Sequence, residues 1–519
     1  MIIALNNVID IYSPKLSYPH FCIIYINHFI IKTVIIMNLF DDYELNLLTF
    51  KDDFKDSSDF LLKELKTKNS RMFLACMDGL VNSLLLSQMI VEPICDFDKK
   101  CESPREYLEL LQTQIVHCPE QNEVTTFDDA YYFLMSGFAV VVIEGCSTAL
   151  AFGVQGWSRR DTSEPSTEAN VKGAKECFVE TLNDNKALLR KRLKTYHLKQ
   201  KQLSLGNSAR TPVAICYIDD RADKTIVDEV EKRLKEADFN TVLDYGELLP
   251  FIDSDVKSFF SCVGTTERPD VLASKLLEGR VAVMVEGTPF VMYTPYLFSD
   301  NFSSLDDYDN PPFYSSFMRI IKYGAFIVSV FLPGLFVAVG TFHQELIPPN
   351  LLFLIATNEA TTPYTLTVEA VFVHLVYEIM REAGLRLPDS IGHAISIIGA
   401  IVIGDAAVSA GIIGAPMLIV VAGTAISSYV IYPLYESLAV IRIIFIIIGG
   451  VFGIYGLMLG AAMLFCNICS LNPFGVPYSS PLSPLTKTAL VDVLFRGGWR
   501  RLVKRRVRVT NLEGVSVDD

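Results

Sequence analysis

Long apolar runs fill the last third of the chain, from about residue 320 to residue 471. In the clearest run, residues 391–430, only His393 and Asp405 carry acidic or basic side chains. About 20 such residues per helix match the thickness of a bilayer and satisfy the backbone hydrogen bonds within it. The pattern therefore predicts a helical membrane domain over residues 316–475 with about four crossings, at 320–342, 391–410, 412–432 and 438–471.

Small residues crowd these apolar runs, as in the two glycines at 399 and 404 and the five glycines within 449–460. Helices facing only lipid do not need them, whereas close helix–helix packing in a membrane does. Basic residues flank the region on both sides, at Arg319 and Lys322 before it and in the tail at residues 496–508. Since positive flanks stay in the cytoplasm, we expect the N-terminal region and the tail (476–519) on the cytoplasmic side.

The region before residue 316 shows short β-branched runs that alternate with amphipathic helices, the pattern of α/β modules. It also repeats itself: residues 72–79 resemble residues 213–220, and residues 137–145 resemble residues 279–287. We expect two tandem related cytoplasmic α/β modules, the first at 37–205 with a polar linker helix and the second at 206–315. A chance likeness of two strands is the alternative.

Residues 1–36 lack helical period and the basic start and cleavage site of a signal peptide. We interpret this segment as a leader upstream of a start at Met37, and the alternative is an apolar extension.

The net charge of −14 argues against nucleic acid as a partner. The chain contains no phosphate-binding loop, no HExxH and no GxSxG, so we expect no enzymatic activity. The seven histidines lie apart, and Asp78 and Asp219 at strand ends are typical of turns. We therefore expect no catalytic residues, metal or cofactor.

Ionisable residues inside the membrane region are costly and indicate function. Ile398, Val402 and Asp405 are our candidates for an ion path, in which the apolar pair forms a constriction and the carboxylate attracts cations. As alternatives, the small residues of this helix serve only helix packing, and Asp405 lies at the helix end near the external headgroups. We also expect an ion pair between Glu436 and Arg442, and a polar-sided helix over 359–381 that lies in the interface or against a neighbouring subunit.

The densest polar stretch lies between the modules, at residues 157–192, and by periodicity alone it fits a solvated linker. It resembles the A-subunit family of bacterial spore germination receptors, the GerA type. The matching residues are Ser163, Glu164, Pro165, Glu168, Gly173, Glu176, Phe178, Glu180, Asn183, Asn185, Arg190 and Arg192. Ala174 and Cys177 depart from the family's usual proline and glycine. The resemblance extends over about residues 72–501 and includes REAGLRLP at 381–388 and SPLSPL at 480–485.

The resemblance implies an A subunit of a nutrient germinant receptor in the inner membrane of the spore, where it forms or gates an ion pathway that triggers germination. It implies a transporter-like B subunit and a lipoprotein C subunit as partners, and a homo-oligomeric ring. On this basis we predict that Glu164, Glu168, Arg190 and Arg192 make subunit contacts. A stage V sporulation channel component that acts downstream and a solute transporter are the alternatives.

Overall fold

The computed structural model describes residues 37–68, 70–99, 101–156, 165, 167–168, 172–253, 258–386, 404–487, 489–498 and 508–515. The described chain forms two compact units. The first contains residues 37–55, 60–156 and 194–196, and the second contains the remaining described residues.

The first unit is built on a five-stranded antiparallel sheet of order β1-β2-β4-β5-β3. The strands are Phe60–Lys66 (β1), Arg71–Met77 (β2), Gln121–Val124 (β3), Phe138–Ile143 (β4) and Ala149–Gly153 (β5). The helices are Tyr43–Asp53 (α1), Ser83–Leu86 (α2), Glu92–Asp96 (α3), Pro104–Leu110 (α4) and Phe127–Leu134 (α5).

Helices cover both faces of this sheet, which explains why its central strands are apolar without alternation. In β2, Met72 and Leu74 join the core formed with Ile90 and Leu111, whereas Phe73 packs edge-on against Phe50 of α1. Successive side chains of a strand point to opposite faces, so both sets of positions must be apolar here.

The second unit contains a sheet with the same strand order, β6-β7-β9-β10-β8. Its strands are Leu198–Leu205 (β6), Thr211–Ile218 (β7), Gly264–Thr266 (β8), Val281–Val285 (β9) and Val291–Thr294 (β10). Its helices are Leu182–Arg192 (α6), Lys224–Glu236 (α7), Tyr245–Ile252 (α8) and Pro269–Leu277 (α9). Because β6 pairs with β7 along its full length, the second module begins before residue 206.

The internal repeat corresponds to equivalent elements in the two sheets. Gly137 and Gly279 precede β4 and β9, and both have positive φ, +82° and +89°. A Cβ at these positions would lie 2.9 Å and 2.7 Å from a backbone oxygen of Leu80 and Arg221 respectively. The same turn therefore requires glycine in both modules.

The rest of the second unit is helical. Its helices are Asp306–Asp309 (α10), Pro312–Phe342 (α11), Pro349–Glu359 (α12), Leu366–Arg386 (α13), Gly404–Ser409 (α14), Ala415–Val430 (α15) and Tyr435–Ser470 (α16). Among the described residues, the segments Pro312–Phe342 and Tyr432–Ser470 are long and apolar enough to cross a membrane.

Helix α16 is a hairpin of two arms that reverses at Gly453, where φ is +63° and ψ is −154°. Ser437 near its start donates a hydrogen bond to the carbonyl of Phe259. Asn467 near its end accepts one from the neighbouring Ser258 at 3.1 Å. In a straight helix residues 437 and 467 would lie about 45 Å apart. The segment predicted as one crossing at 438–471 therefore consists of two arms, and its number of crossings stays a prediction.

Close contacts between small residues join the helices. A Cβ on Gly449 would lie 2.5 Å from the carbonyl oxygen of Gly334, so α11 and α16 approach to backbone contact. Leu366, at the start of α13, lies against Gly340, and Glu378, three turns later, lies near Arg442. Helix α13 therefore packs lengthwise against helices of its own bundle, and the expected position in the interface or against another subunit stays a prediction.

The tail returns to the second module. The backbone N–H of Phe298 donates to the carbonyl of Tyr478, and that of Val509 donates to Glu278. Arg319 of α11 is buried and pairs with Asp307 at 2.9 Å and with Asp492 of the tail at 3.0 Å. The entry to the bundle, the tail and the second module thus form one connected structure.

Candidate functional site: a charged cluster inside the helical bundle

Arg442 lies at the centre of the bundle and is 1% exposed. Its Nε donates to the carbonyl of Ser329 at 3.2 Å, and its Nη2 donates to the Ser329 hydroxyl at 3.1 Å and to the hydroxyl of Ser428. The two serine hydroxyls also share a hydrogen bond of 2.7 Å. One guanidinium thus joins α11, α15 and α16 through hydroxyl and carbonyl oxygens.

The carboxylate nearest to this guanidinium is Glu378 of α13, whose Oε1 lies 3.7 Å from Nη1 of Arg442. Glu378 has other partners of its own. Its oxygens accept from the hydroxyl of Tyr435 at 3.1 and 3.0 Å and from Nε of Arg381 at 3.2 Å. The Arg381 guanidinium also lies 4.0 Å from the centre of the Tyr435 ring.

Two buried nitrogens at this contact have no hydrogen-bond partner among the described residues, Nη1 of Arg442 and Nε2 of His374. Nδ1 of His374 lies 2.8 Å from the carbonyl oxygen of Ala370. Because a carbonyl only accepts, Nδ1 carries the proton and Nε2 is left as an acceptor. A donor on α16 and an acceptor on α13 are therefore both without a hydrogen-bond partner among the described residues.

The predicted pair between Glu436 and Arg442 does not form, because Arg442 turns toward Ser329, Ser428 and Glu378. Glu436 instead lines a cavity of about 690 Å³ between the second module and the start of α16, together with Ser437, Asp306 and Tyr478. Asp405 lies in α14 with an exposed side chain. Ile398 and Val402 lie outside the described residues, so the ion path remains a prediction.

Glu168 makes a reciprocal contact with β8. Its carboxylate accepts from the hydroxyl of Thr266 and the N–H of Glu267, while the Glu267 carboxylate accepts from the N–H of Glu168 at 3.0 Å. Burial raises the pKa of Glu168 above its usual value. Glu164 lies outside the described residues.

Arg190 is buried and makes two hydrogen bonds of 2.9 Å to Asp59, which is also buried. Arg192 is partly exposed and pairs with Glu176 at 2.7 Å. Burial alone would raise the pKa of Glu176, but the bonds from Lys191 and Arg192 outweigh it and lower that pKa. The contacts described for Glu168, Arg190 and Arg192 lie within this chain, and a role in subunit contacts remains a prediction.

A second group of polar side chains lies where β7 ends. One nitrogen of His197 and one oxygen each of Asp219 and Asp220 lie within 4.8 Å of one another, a spacing that a metal ion could use. Lys199 lies 3.7 Å from Asp219, and Arg221 lies 3.9 Å from Asp220. Since a cation already accompanies each carboxylate, the group is better explained as a hydrogen-bonded sheet edge.

Comparison with known proteins identifies the family. Residues 48–508 match the model of the Bacillus/Clostridium GerA spore germination protein family. Spore germination protein KA of Bacillus subtilis (strain 168) is 36% identical over 91% of this chain and 87% of its own length. Spore germination protein B1 of the same organism is 32% identical over 91% of this chain and 98% of its own length.

A crystal structure is also similar, that of the N-terminal domain of the A subunit of the Bacillus megaterium spore germinant receptor GerK3. It is 26% identical, with a TM-score of 0.40, over 51% of this chain and 99% of that domain. The family match extends through both modules and the helical bundle. The chain therefore belongs to the GerA family of spore germination proteins, the A-subunit family of germinant receptors.

Proposed function

We propose that this chain is the A subunit of a nutrient germinant receptor in the spore inner membrane, where it forms or gates an ion pathway that triggers germination. The observation that carries the proposal is the buried Arg442–Glu378 cluster. A charge removed from water inside an apolar bundle is costly, and such residues commonly mark ion paths, sensors or relays in membranes. Membership of the GerA family supplies the biological setting.

The receptor would include a transporter-like B subunit, a lipoprotein C subunit and further copies of this chain in a ring. The helix with Ile398, Val402 and Asp405 is our candidate for the pore lining. Glu164, Glu168 and Arg192 are candidates for subunit contacts. Arg190 would support such a contact only indirectly, because its guanidinium is buried against Asp59.

We further propose that the bundle crosses the membrane six times. Helices α11, α13 and α15, the two arms of α16 and the predicted crossing at 391–410 account for this number. An even number keeps the two modules and the tail on the cytoplasmic side. The backbone hydrogen bonds between the tail and the second module support that arrangement.

The experiment is a cation-flux assay on the full chain reconstituted in liposomes, alone and with the B and C subunits. We expect flux that depends on this chain and changes with Asp405→Asn. A chain that assembles but conducts no ions under any condition would contradict the ion-pathway part. Spores that lack the chain yet germinate normally on every nutrient would contradict the receptor part.

A further inference from the structure

The polar contacts of Arg442 divide into two kinds. Those to Ser329 on α11 and Ser428 on α15 are hydrogen bonds, and the hydroxyl groups of the two serines are also hydrogen-bonded to each other. The contact to Glu378 on α13 is 3.7 Å long, beyond hydrogen-bond distance. Arg442 therefore fixes α11, α15 and α16 together, while its contact with α13 is incomplete.

Each of the two helices at the incomplete contact carries a buried group without a hydrogen-bond partner among the described residues. Nη1 of Arg442 is a donor and Nε2 of His374 is an acceptor, and neither has a hydrogen-bond partner among the described residues. Leaving such groups unpaired in the protein interior is unfavourable. A shift of α13 toward α16 of roughly 1 Å would bring Glu378 into hydrogen-bond distance of Arg442.

We propose that Arg442 and Glu378 form a latch with two positions, open at 3.7 Å as described here and closed by a direct hydrogen bond, and that the latch sets whether the ion pathway conducts. The second part rests on the proposed function. The latch itself is a property of the fold and can be tested without ion flux.

The geometry keeps the energetic difference between the two positions small. Removing one partner of a buried ion pair is strongly destabilising because it strands the other charge. Here neither charge is stranded when the latch is open, since Arg442 retains its serines and Glu378 retains Tyr435 and Arg381.

The latch is tested by the distance between α13 and α16 in the full chain in lipid nanodiscs. Spin labels at Ile379→Cys and Val440→Cys occupy exposed positions on the two helices. We expect two distances in the labelled chain and a single, longer one after Glu378→Leu, whose side chain cannot accept a hydrogen bond from Arg442. Glu382→Leu, at an exposed carboxylate on the same helix, is the control and should leave both distances unchanged. One distance that is the same in all three proteins would overturn the latch.

Function is tested by replacing the pair with apolar side chains, Arg442→Met with Glu378→Leu. Such replacements of buried ion pairs are often neutral or stabilising, so a purely structural pair predicts an unchanged Tm and normal flux. The latch predicts an unchanged Tm with basal cation flux altered at least tenfold. Normal, regulated flux in this double variant would refute the proposal that the latch sets whether the ion pathway conducts. If the parent chain shows two distances but conducts no ions, the proposed function fails and the latch stands.

Discussion

Arg190 and Arg442 are both fully buried arginines, yet they differ in what they are bound to. Arg190 faces Asp59 with two parallel hydrogen bonds and also donates to the carbonyl of Leu198. Arg442 is surrounded mainly by neutral oxygens, and its carboxylate is more distant. The first arrangement is that of a structural ion pair, and the second leaves a charge whose position can respond to movement of a neighbouring helix.

We expect Asp59→Ala to destabilise the second module by about 3–5 kcal/mol, because it leaves the buried charge of Arg190 without its counter-ion. Arg192→Ala, which breaks the partly exposed pair with Glu176, should cost only roughly 0–1 kcal/mol. Chemical denaturation of the full chain in detergent, followed by fluorescence, measures both. Equal losses in the two variants would show that Arg190 and Asp59 are not a buried structural pair.

Asp300 gives the second module a dependence on pH. Burial alone would raise its pKa, but Arg280 at 2.6 Å and Lys275 at 2.8 Å hold the pKa of this carboxyl well below its usual range. The folded form is therefore stabilised above the unfolded pKa of about 4, and this stabilisation is lost as the pH falls further toward the folded value.

Asp300→Asn removes that contribution. We expect its Tm to be lower than that of the parent chain at pH 7, and the difference to shrink as the pH falls below about 4. Thermal unfolding of both proteins between pH 3 and pH 7 measures the difference. An equal difference in Tm between the two proteins at pH 3 and at pH 7 would show that the ion pairs of Asp300 do not stabilise the fold.

Sequence reasoning identifies which residues are important at this scale more readily than it identifies their partners. Arg442 is noticeable because it interrupts an apolar run, but the nearest carboxylate along the chain, Glu436, is not its partner. Asp59 and Arg190 are 131 residues apart, and nothing in the spacing of the sequence indicates that they meet. Partners of this kind are set by how the sheets and helices pack.

At the scale of elements, the repeat predicts its structure well because its signals are local. The apolar runs and the Glu-Gly turns of both modules correspond to strands β2 and β7 and to the ends of β4 and β9. The hairpin of α16 gives no comparable signal, since its turn contains no polar residue or proline. A single glycine among many in an apolar run does not distinguish a reversal from a continuous helix.

The reversal at Gly453 can be tested directly. Its φ and ψ lie in a region that is essentially restricted to glycine, and a Cβ there would lie 3.0 Å from His343 and 3.2 Å from Phe342. We expect Gly453→Ala to destabilise the bundle by roughly 1–3 kcal/mol. Gly460→Ala is the control, since a Cβ at Gly460 meets no atom closer than 3.4 Å. The Tm of each variant in detergent provides the measurement, and an unchanged Tm for Gly453→Ala would argue for a continuous helix.

At the scale of the whole molecule, the hairpin changes how topology follows from sequence. Four apolar runs give four crossings only if each run crosses the membrane once, whereas a run that reverses its direction crosses it twice. In the proposed six-crossing arrangement, helix α13 is a pass that hydropathy misses, because its ionisable side chains Glu369 and His374 are buried against neighbouring helices. The two proposed passes together keep the number even, so the predicted side of the tail is the same for four and for six crossings.

Single cysteines distinguish the two numbers, after the native cysteines are replaced. With either number of crossings, Ser208→Cys in the second module should be labelled only after the membrane is permeabilised. Glu345→Cys, in the turn after α11, should be labelled from outside.

Tyr455, beside the turn at Gly453, is 81% exposed. In the six-crossing arrangement this turn lies at the same end of the bundle as Phe342, because Phe342 contacts Gly453. We therefore expect Tyr455→Cys to react with an impermeant maleimide from outside, as Glu345→Cys does. With four crossings the same position lies near the middle of a membrane helix, where a polar reagent does not reach. Protection of Tyr455→Cys beside a reactive Glu345→Cys would therefore contradict the six-crossing arrangement.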